Sequence, residues 1–205
     1  MTKRIYLIRH GKIHTGNEKR YLGITDLPLV REGIDQAEAL MEFFQNIAID
    51  FIFTSPLKRC RQTAEIISGC SRNGIIEVQE FKEINLGLWE NKPMQMIKGS
   101  YPDAYEERGK HLLTFQPPRG ESFGQLAERV LPAFERIVKQ YTGNIIIIGH
   151  AGVNRTILSK IQGISIHDFF LIEQPYGSVY EIRCTEDSGY QVEQLTGRRN
   201  NSDES

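Results

Sequence analysis

Arg9-His10-Gly11 stands where the apolar run Ile5-Tyr6-Leu7-Ile8 stops, and His150 stands where Ile145-Ile146-Ile147-Ile148-Gly149 stops. An imidazole beside a guanidinium can both hold an anion and attack it. The neutral ring is a nucleophile, and the arginine fork offers two parallel hydrogen bonds to an oxyanion. Apolar runs of this length read as strands buried on both faces of a parallel sheet. In open α/β sheets the ligand crevice lies beyond the carboxyl ends of such strands. The two histidines are therefore expected at one site.

Other chemistries fit less well. His10 and His14 are four apart, but Gly11 follows a strand end and no helical pattern spans the pair, so no metal site is expected. The glycines around His10 and His150 form neither the dinucleotide-binding nor the P-loop pattern, and no cofactor is expected.

The elements that must position these residues can be read in turn. A helix is expected from about Arg31 to Ile47, with Ala37, Leu40, Met41, Phe44 and Ile47 as its core stripe. Asp50 to Thr54 reads as a strand, followed by Ser55 as a helix N-cap and Pro56 at the first helical position. Leu57, Cys60, Ala64 and Ile67 then form a buried stripe, which puts Arg59 on another face near the start of that helix. Helix N-termini attract phosphate, so Arg59 is a candidate clamp.

A strand near Ile75 to Val78 leads to Glu83. Residues 91–119 are polar and broken by prolines, and read as a small cap rather than as sheet. The next helix carries Phe123, Leu126, Ala127, Val130, Leu131, Phe134, Ile137, Val138 and Tyr141, and Pro132 should kink or interrupt it. A further helix is expected from about Gly152, then strands near Ser178–Cys184 and Tyr190–Leu195 at a sheet edge. The expected architecture is an α/β three-layer αβα sandwich: a mostly parallel central sheet with an antiparallel edge. It forms one domain over 1–196, and 197–205 is expected to be disordered.

Bulk properties agree with a single enzyme domain. A chain of 205 residues can bury a sizeable core, and a net charge of −1 points to neither nucleic acid nor an anionic membrane. No apolar run approaches a bilayer span, and Met1-Thr2-Lys3-Arg4 leads into a strand without a signal-peptide pattern. Cys60, Cys70 and Cys184 lack paired spacing, so a disulfide framework is not expected and a cytoplasmic location is.

Read in order, five motifs resemble the histidine phosphatase superfamily, which includes the phosphoglycerate-mutase-like enzymes. They are Arg9-His10-Gly11 with Arg20-Tyr21, Gly23 and Asp26; Ser55-Pro56-Leu57-Lys58-Arg59 onward; Glu83 with Gly87 and Trp89-Glu90; Gly120-Glu121-Ser122; and Gly149-His150-Ala151-Gly152. The resemblance implies hydrolysis of a small phosphomonoester, a reaction among the slowest without a catalyst. It implies that His10 becomes a phosphohistidine, that Arg9, Arg59 and His150 hold the phosphoryl oxygens, and that Glu83 protonates the leaving oxygen. Asn17, Gly23 and Ala151 would lie at the substrate. Mutases of this superfamily carry an arginine after the acid glutamate and a longer insertion before the second histidine. Here Ile84 follows Glu83 and the interval is short, so the chain is similar to the α-ribazole phosphatase branch. Phosphoglycerate mutase activity, or a non-catalytic phosphate- or partner-binding module of the same fold, remain the alternatives.

The pattern departs from the superfamily in four places. Gly16 takes the usual asparagine position with Asn17 one step later, and Lys12 replaces an acidic residue, which could favour a more anionic substrate. Val30 stands where a capping hydroxyl is common, and Asn91 stands where glycine is frequent.

Overall fold

The computed structural model describes residues 3–16, 18–185 and 189–196. Asn17 and the expected disordered segment 197–205 lie outside the described residues. The main sheet takes strands β1 (Lys3–Arg9), β3 (Phe51–Thr54), β4 (Ile75–Glu77), β6 (Ile145–Gly149), β7 (Val179–Thr185) and β8 (Gly189–Gln194) in the order β4-β3-β6-β1-β7-β8. The first four strands of that order run parallel, and β7 and β8 add the antiparallel edge.

Alternation along the strands builds two cores. Ile5, Leu7, Phe53, Ile145 and Ile147 face helices α5 (Phe123–Gln140) and α6 (Ala151–Gln162). Tyr6, Ile8, Ile52, Ile146 and Ile148 face α1 (Arg31–Phe44) and α2 (Lys58–Ile67). Both faces are covered, which is why β1 and β6 carry unbroken apolar runs rather than alternating ones. The expected αβα sandwich is the observed one.

Several local expectations change. α1 ends at Phe44, its buried stripe is Gly33, Ala37, Leu40 and Phe44, and Met41 is 39% exposed. Ser55 does not cap α2: the helix begins at Lys58, whose N–H donates to Asp26 Oδ1 at 2.6 Å, so a distant loop supplies the cap. α5 runs through Pro132 as one helix, begun by a capping box between Ser122 and Gln125 and held by a continuous buried face. Pro132 sits on the exposed side, where water can take the acceptor it leaves unpaired.

Residues 91–119 carry two short helices, α3 (Met94–Ser100) and α4 (Pro102–Lys110). They also contribute β5 (Lys92–Pro93), which pairs antiparallel with β2 (Arg20–Tyr21), so this segment is not wholly free of sheet. Among the described residues, no helix is long and apolar enough to cross a membrane.

Candidate active site

The register of β1 on β6 builds the centre. Arg9 pairs with Gly149 in the parallel ladder, so His10 and His150 leave the sheet side by side, with ring centroids 5.1 Å apart. β3 lies on the other side of β6 with Thr54 opposite Ile148, which brings Ser55 to the same end. Gly11 then turns under α1: a side chain there would strike the backbone of Gly33, so only glycine permits the approach.

His10 is 3% exposed, and its Nδ1 lies 2.7 Å from the Gly11 carbonyl oxygen. The carbonyl can only accept, so the proton sits on Nδ1 and the lone pair is left on Nε2. Burial, then the charges of Arg9 and Arg59, hold the His10 pKa well below the usual histidine value. The ring is thus neutral at physiological pH, as a nucleophile requires. The Arg9 guanidinium lies 3.9 Å from the centre of the Tyr176 ring and donates to the Gln174 carbonyl.

Arg59 is 1% exposed and tightly held. Nη2 donates to Gly23 O and Nη1 to Thr25 O, each at 2.7 Å, and Nε donates to His150 Nδ1 at 3.2 Å. His150 therefore carries its proton on Nε2, which meets Ser55 Oγ at 2.8 Å. Burial first, then Arg59 and His10, keep this ring neutral too. Both of its nitrogens are engaged, so here His150 orients Arg59 and does not itself line the cavity.

The loop that grips Arg59 is itself braced by Glu90. That carboxylate accepts the N–H groups of Gly23, Ile24 and Thr25, at 3.2, 2.8 and 3.3 Å, and that of Leu86 at 3.0 Å. Asn91 follows with φ 55°, a left-handed turn in which asparagine substitutes for glycine at modest cost.

Glu83 comes from the loop before α3. Its Oε1 accepts the Ile84 N–H and its Oε2 accepts the Gly152 N–H, each at 2.9 Å, which docks the carboxylate on the first turn of α6. Arg129 fixes that loop from behind: it donates to the carbonyls of Glu80, Lys82 and Glu83 and pairs with Glu121.

A cavity of about 280 Å³ joins these parts, lined by Arg9, His10, Arg59, Glu83 and Ala151. Gly23 stands behind Arg59, with Tyr21 and Leu22 on the wall instead. Lys12 pairs with Glu32 and does not reach the cavity, so the expected charge change at that position acts elsewhere. Of the aromatic residues near the centre, Tyr21 lines the cavity, while Trp89 packs on Tyr21 and Phe115 in the core. The motifs held Ser55 but gave it only a capping role, and they missed Tyr176, Arg108 and Arg155. Only the last left a trace, lying four residues after Ala151 on the same helix face. Among the described residues, no group of three or more His, Cys, Asp or Glu is placed to hold a metal ion.

Comparison with known proteins matches residues 5–196 to the profile of the histidine phosphatase superfamily (branch 1). A Bacillus subtilis (strain 168) protein named as the uncharacterized phosphatase PhoE is 29% identical over 160 residues, covering 78% of this chain and 77% of its own. The Bacillus stearothermophilus YhfR structure superposes with a TM-score of 0.84 at 28% identity, covering 94% of this chain and 96% of its own. The α-ribazole phosphatase of Shigella flexneri has the same fold, with a TM-score of 0.84 at 23% identity over 96% of this chain and 100% of its own. The chain belongs to the histidine phosphatase superfamily (branch 1), and as an enzyme its class is phosphoric monoester hydrolase.

Proposed function

We propose that the protein is a phosphomonoesterase that uses no metal and works through a phosphohistidine on a small phosphorylated metabolite. The observation that carries this reading is the neutral His10, its Nε2 lone pair free, in a cavity with two arginines beside it and one carboxylate on the wall. His10 Nε2 attacks phosphorus while the ester P–O bond breaks. Arg9 and Arg59 take the charge on the phosphoryl oxygens. The departing alkoxide takes a proton from Glu83, so the leaving group exits as an alcohol. Water then attacks the phosphohistidine, Glu83 takes its proton, and phosphate leaves with His10 restored.

His150 serves this cycle by holding Arg59, through Nδ1, in the position from which it meets the anion. Asn17 and Ala151 are proposed at the substrate, Ala151 because it lines the cavity. Ile84 after Glu83, where the mutases carry an arginine, supports hydrolysis over mutase transfer.

The test is release of inorganic phosphate from p-nitrophenyl phosphate, α-ribazole 5′-phosphate and 3-phosphoglycerate in the presence of chelator, with His10→Ala as control. Release that needs His10 and survives chelation is expected, with radiolabelled phosphate trapped on the protein by acid-free quench. Release that is unchanged in His10→Ala would sink the mechanism.

A further inference from the structure

The charge in the cavity exceeds what one phosphoryl group needs. Arg9, Arg20, Arg59, Arg108 and Arg155 line it against the single carboxylate of Glu83. Arg9 and Arg59 are assigned to the phosphoryl group at His10, and Arg20 donates to the Asn91 carbonyl at 2.6 Å. That leaves Arg108 from α4 and Arg155 from α6. Arg155 gives Nε to the Ile172 carbonyl at 2.9 Å, and among the described residues neither side chain has a carboxylate within ion-pair distance.

Aromatic rings flank both guanidinium groups, and one ring, Phe170, is common to the two. Arg108 lies 5.2 Å from the centre of the Tyr21 ring, 5.9 Å from Phe123 and 5.8 Å from Phe170. Arg155 lies 5.6 Å from the same Phe170 ring. Burial lowers the pKa of both, which records how much water each has lost. Each guanidinium has lost water without gaining a carboxylate at ion-pair distance, and an anion bound in the cavity offsets that loss. The faces of Tyr21, Phe123 and Phe170 are already given to arginine, which leaves less room for stacking a substrate ring.

We propose that Arg108 and Arg155 form a second anion subsite, where the leaving group of the substrate presents a carboxylate or a second phosphate. This rests on the phosphomonoesterase reading, because it assigns the part of the substrate that departs. An uncharged leaving group, such as the base and ribose of a nucleoside, would leave both guanidinium groups desolvated and unpaired. Since Arg108 belongs to the segment over the site and Arg155 to the sandwich, one bound anion would also tie the two together.

Matched substrates read this directly. The pairs are glycerol 3-phosphate with 3-phosphoglycerate, phenyl phosphate with 4-carboxyphenyl phosphate, and propyl phosphate with 1,3-propanediol bisphosphate. Turnover of p-nitrophenyl phosphate that requires His10 is established first, and its absence would remove the phosphatase reading and this inference with it. Given that turnover, kcat/KM should favour the charged member of at least one pair by about tenfold or more, the size of one charge-assisted hydrogen bond. Which pair shows the larger ratio separates carboxylate from phosphate. The ratio should collapse toward one in Arg108→Gln and in Arg155→Gln. Ratios near one in the unmodified protein, or a preference that survives both substitutions, would overturn the subsite and leave the phosphatase reading standing. Should a variant fail to fold, the preference of the unmodified protein should still shrink as potassium chloride is added; a salt-independent ratio would count against it.

Discussion

Replacing Gly152 with alanine should disable the proton donor while leaving the fold intact. A methyl group built there stands 3.2 Å from the Glu83 carboxyl carbon and 3.4 Å from Oε2, and overlaps Oε1 outright. The carboxylate is the free end of a side chain, whereas Gly152 sits in the first turn of a 12-residue helix, so the carboxylate moves. Ordinary van der Waals separation requires a retreat of roughly 1 Å. A misplacement of that size costs on the order of 100-fold in rate. The loss should fall on glycerol 3-phosphate, whose alkoxide cannot leave without a proton. On p-nitrophenyl phosphate, whose leaving group needs none, kcat/KM should fall less than about tenfold. Alanine is favoured over glycine inside a helix by about 1 kcal/mol, so the melting temperature should hold or rise. Equal losses on the two substrates would refute the reasoning, because the methyl group would then be acting on binding and not on the acid.

Three other expectations follow from the same geometry. Glu90→Gln removes the charge that gathers the Gly23, Ile24 and Thr25 N–H groups, so Arg59 loses its grip. KM for phosphomonoesters should rise about tenfold or more, and inhibition by orthovanadate should weaken in step; unchanged vanadate binding would count against the brace. His10 and His150 are held neutral in the fold but take up protons near pH 6.5 when unfolded. Their folded-state values are depressed, so the stability they contribute is present above pH 6.5 and is lost as pH falls below it. The slope reaches up to about 1.4 kcal/mol per pH unit for each ring. Urea midpoints at pH 7.5 and 5.5 should converge in His10→Asn relative to the unmodified protein, and an identical slope in both would be inconsistent. Val30→Ser supplies the hydroxyl that α1 lacks at its N-cap, where no side chain now accepts. It should add about 1 kcal/mol, or roughly 2 to 4 °C in Tm; a lower Tm would show that the Val30 side chain matters more.

The parts legible in the sequence are those with short-range causes. β1 and β6 announce themselves because both of their faces are buried, and a parallel register then delivers His10 and His150 together. Ser55 misled for a specific reason: Ser-Pro is a fair helix start, but Ser55 is consumed by His150, and Asp26 caps α2 from 32 residues away. Pro132 misled because one proline on an exposed face weighs less than the long buried stripe behind it. Arg108 and Tyr176 carry no local pattern at all. One sits in an otherwise unremarkable polar helix and the other in the turn before β7, and only the tertiary fold brings them to the cavity. Lys12 was a reasonable place to look for extra positive charge, yet Glu32 answers it, and the surplus arises from arginines remote in sequence.

Arg59 has five N–H donors, and three are already directed to Gly23 O, Thr25 O and His150 Nδ1. Capture of an anion by its remaining donors thus freezes almost no rotamers, whereas an unrestrained arginine would lose up to about 2 kcal/mol of side-chain entropy. Lysine at this position would keep the charge but could not satisfy both carbonyls and the ring nitrogen while still facing the ligand. The affinity of this site is therefore set in the folding of the chain, before any substrate arrives.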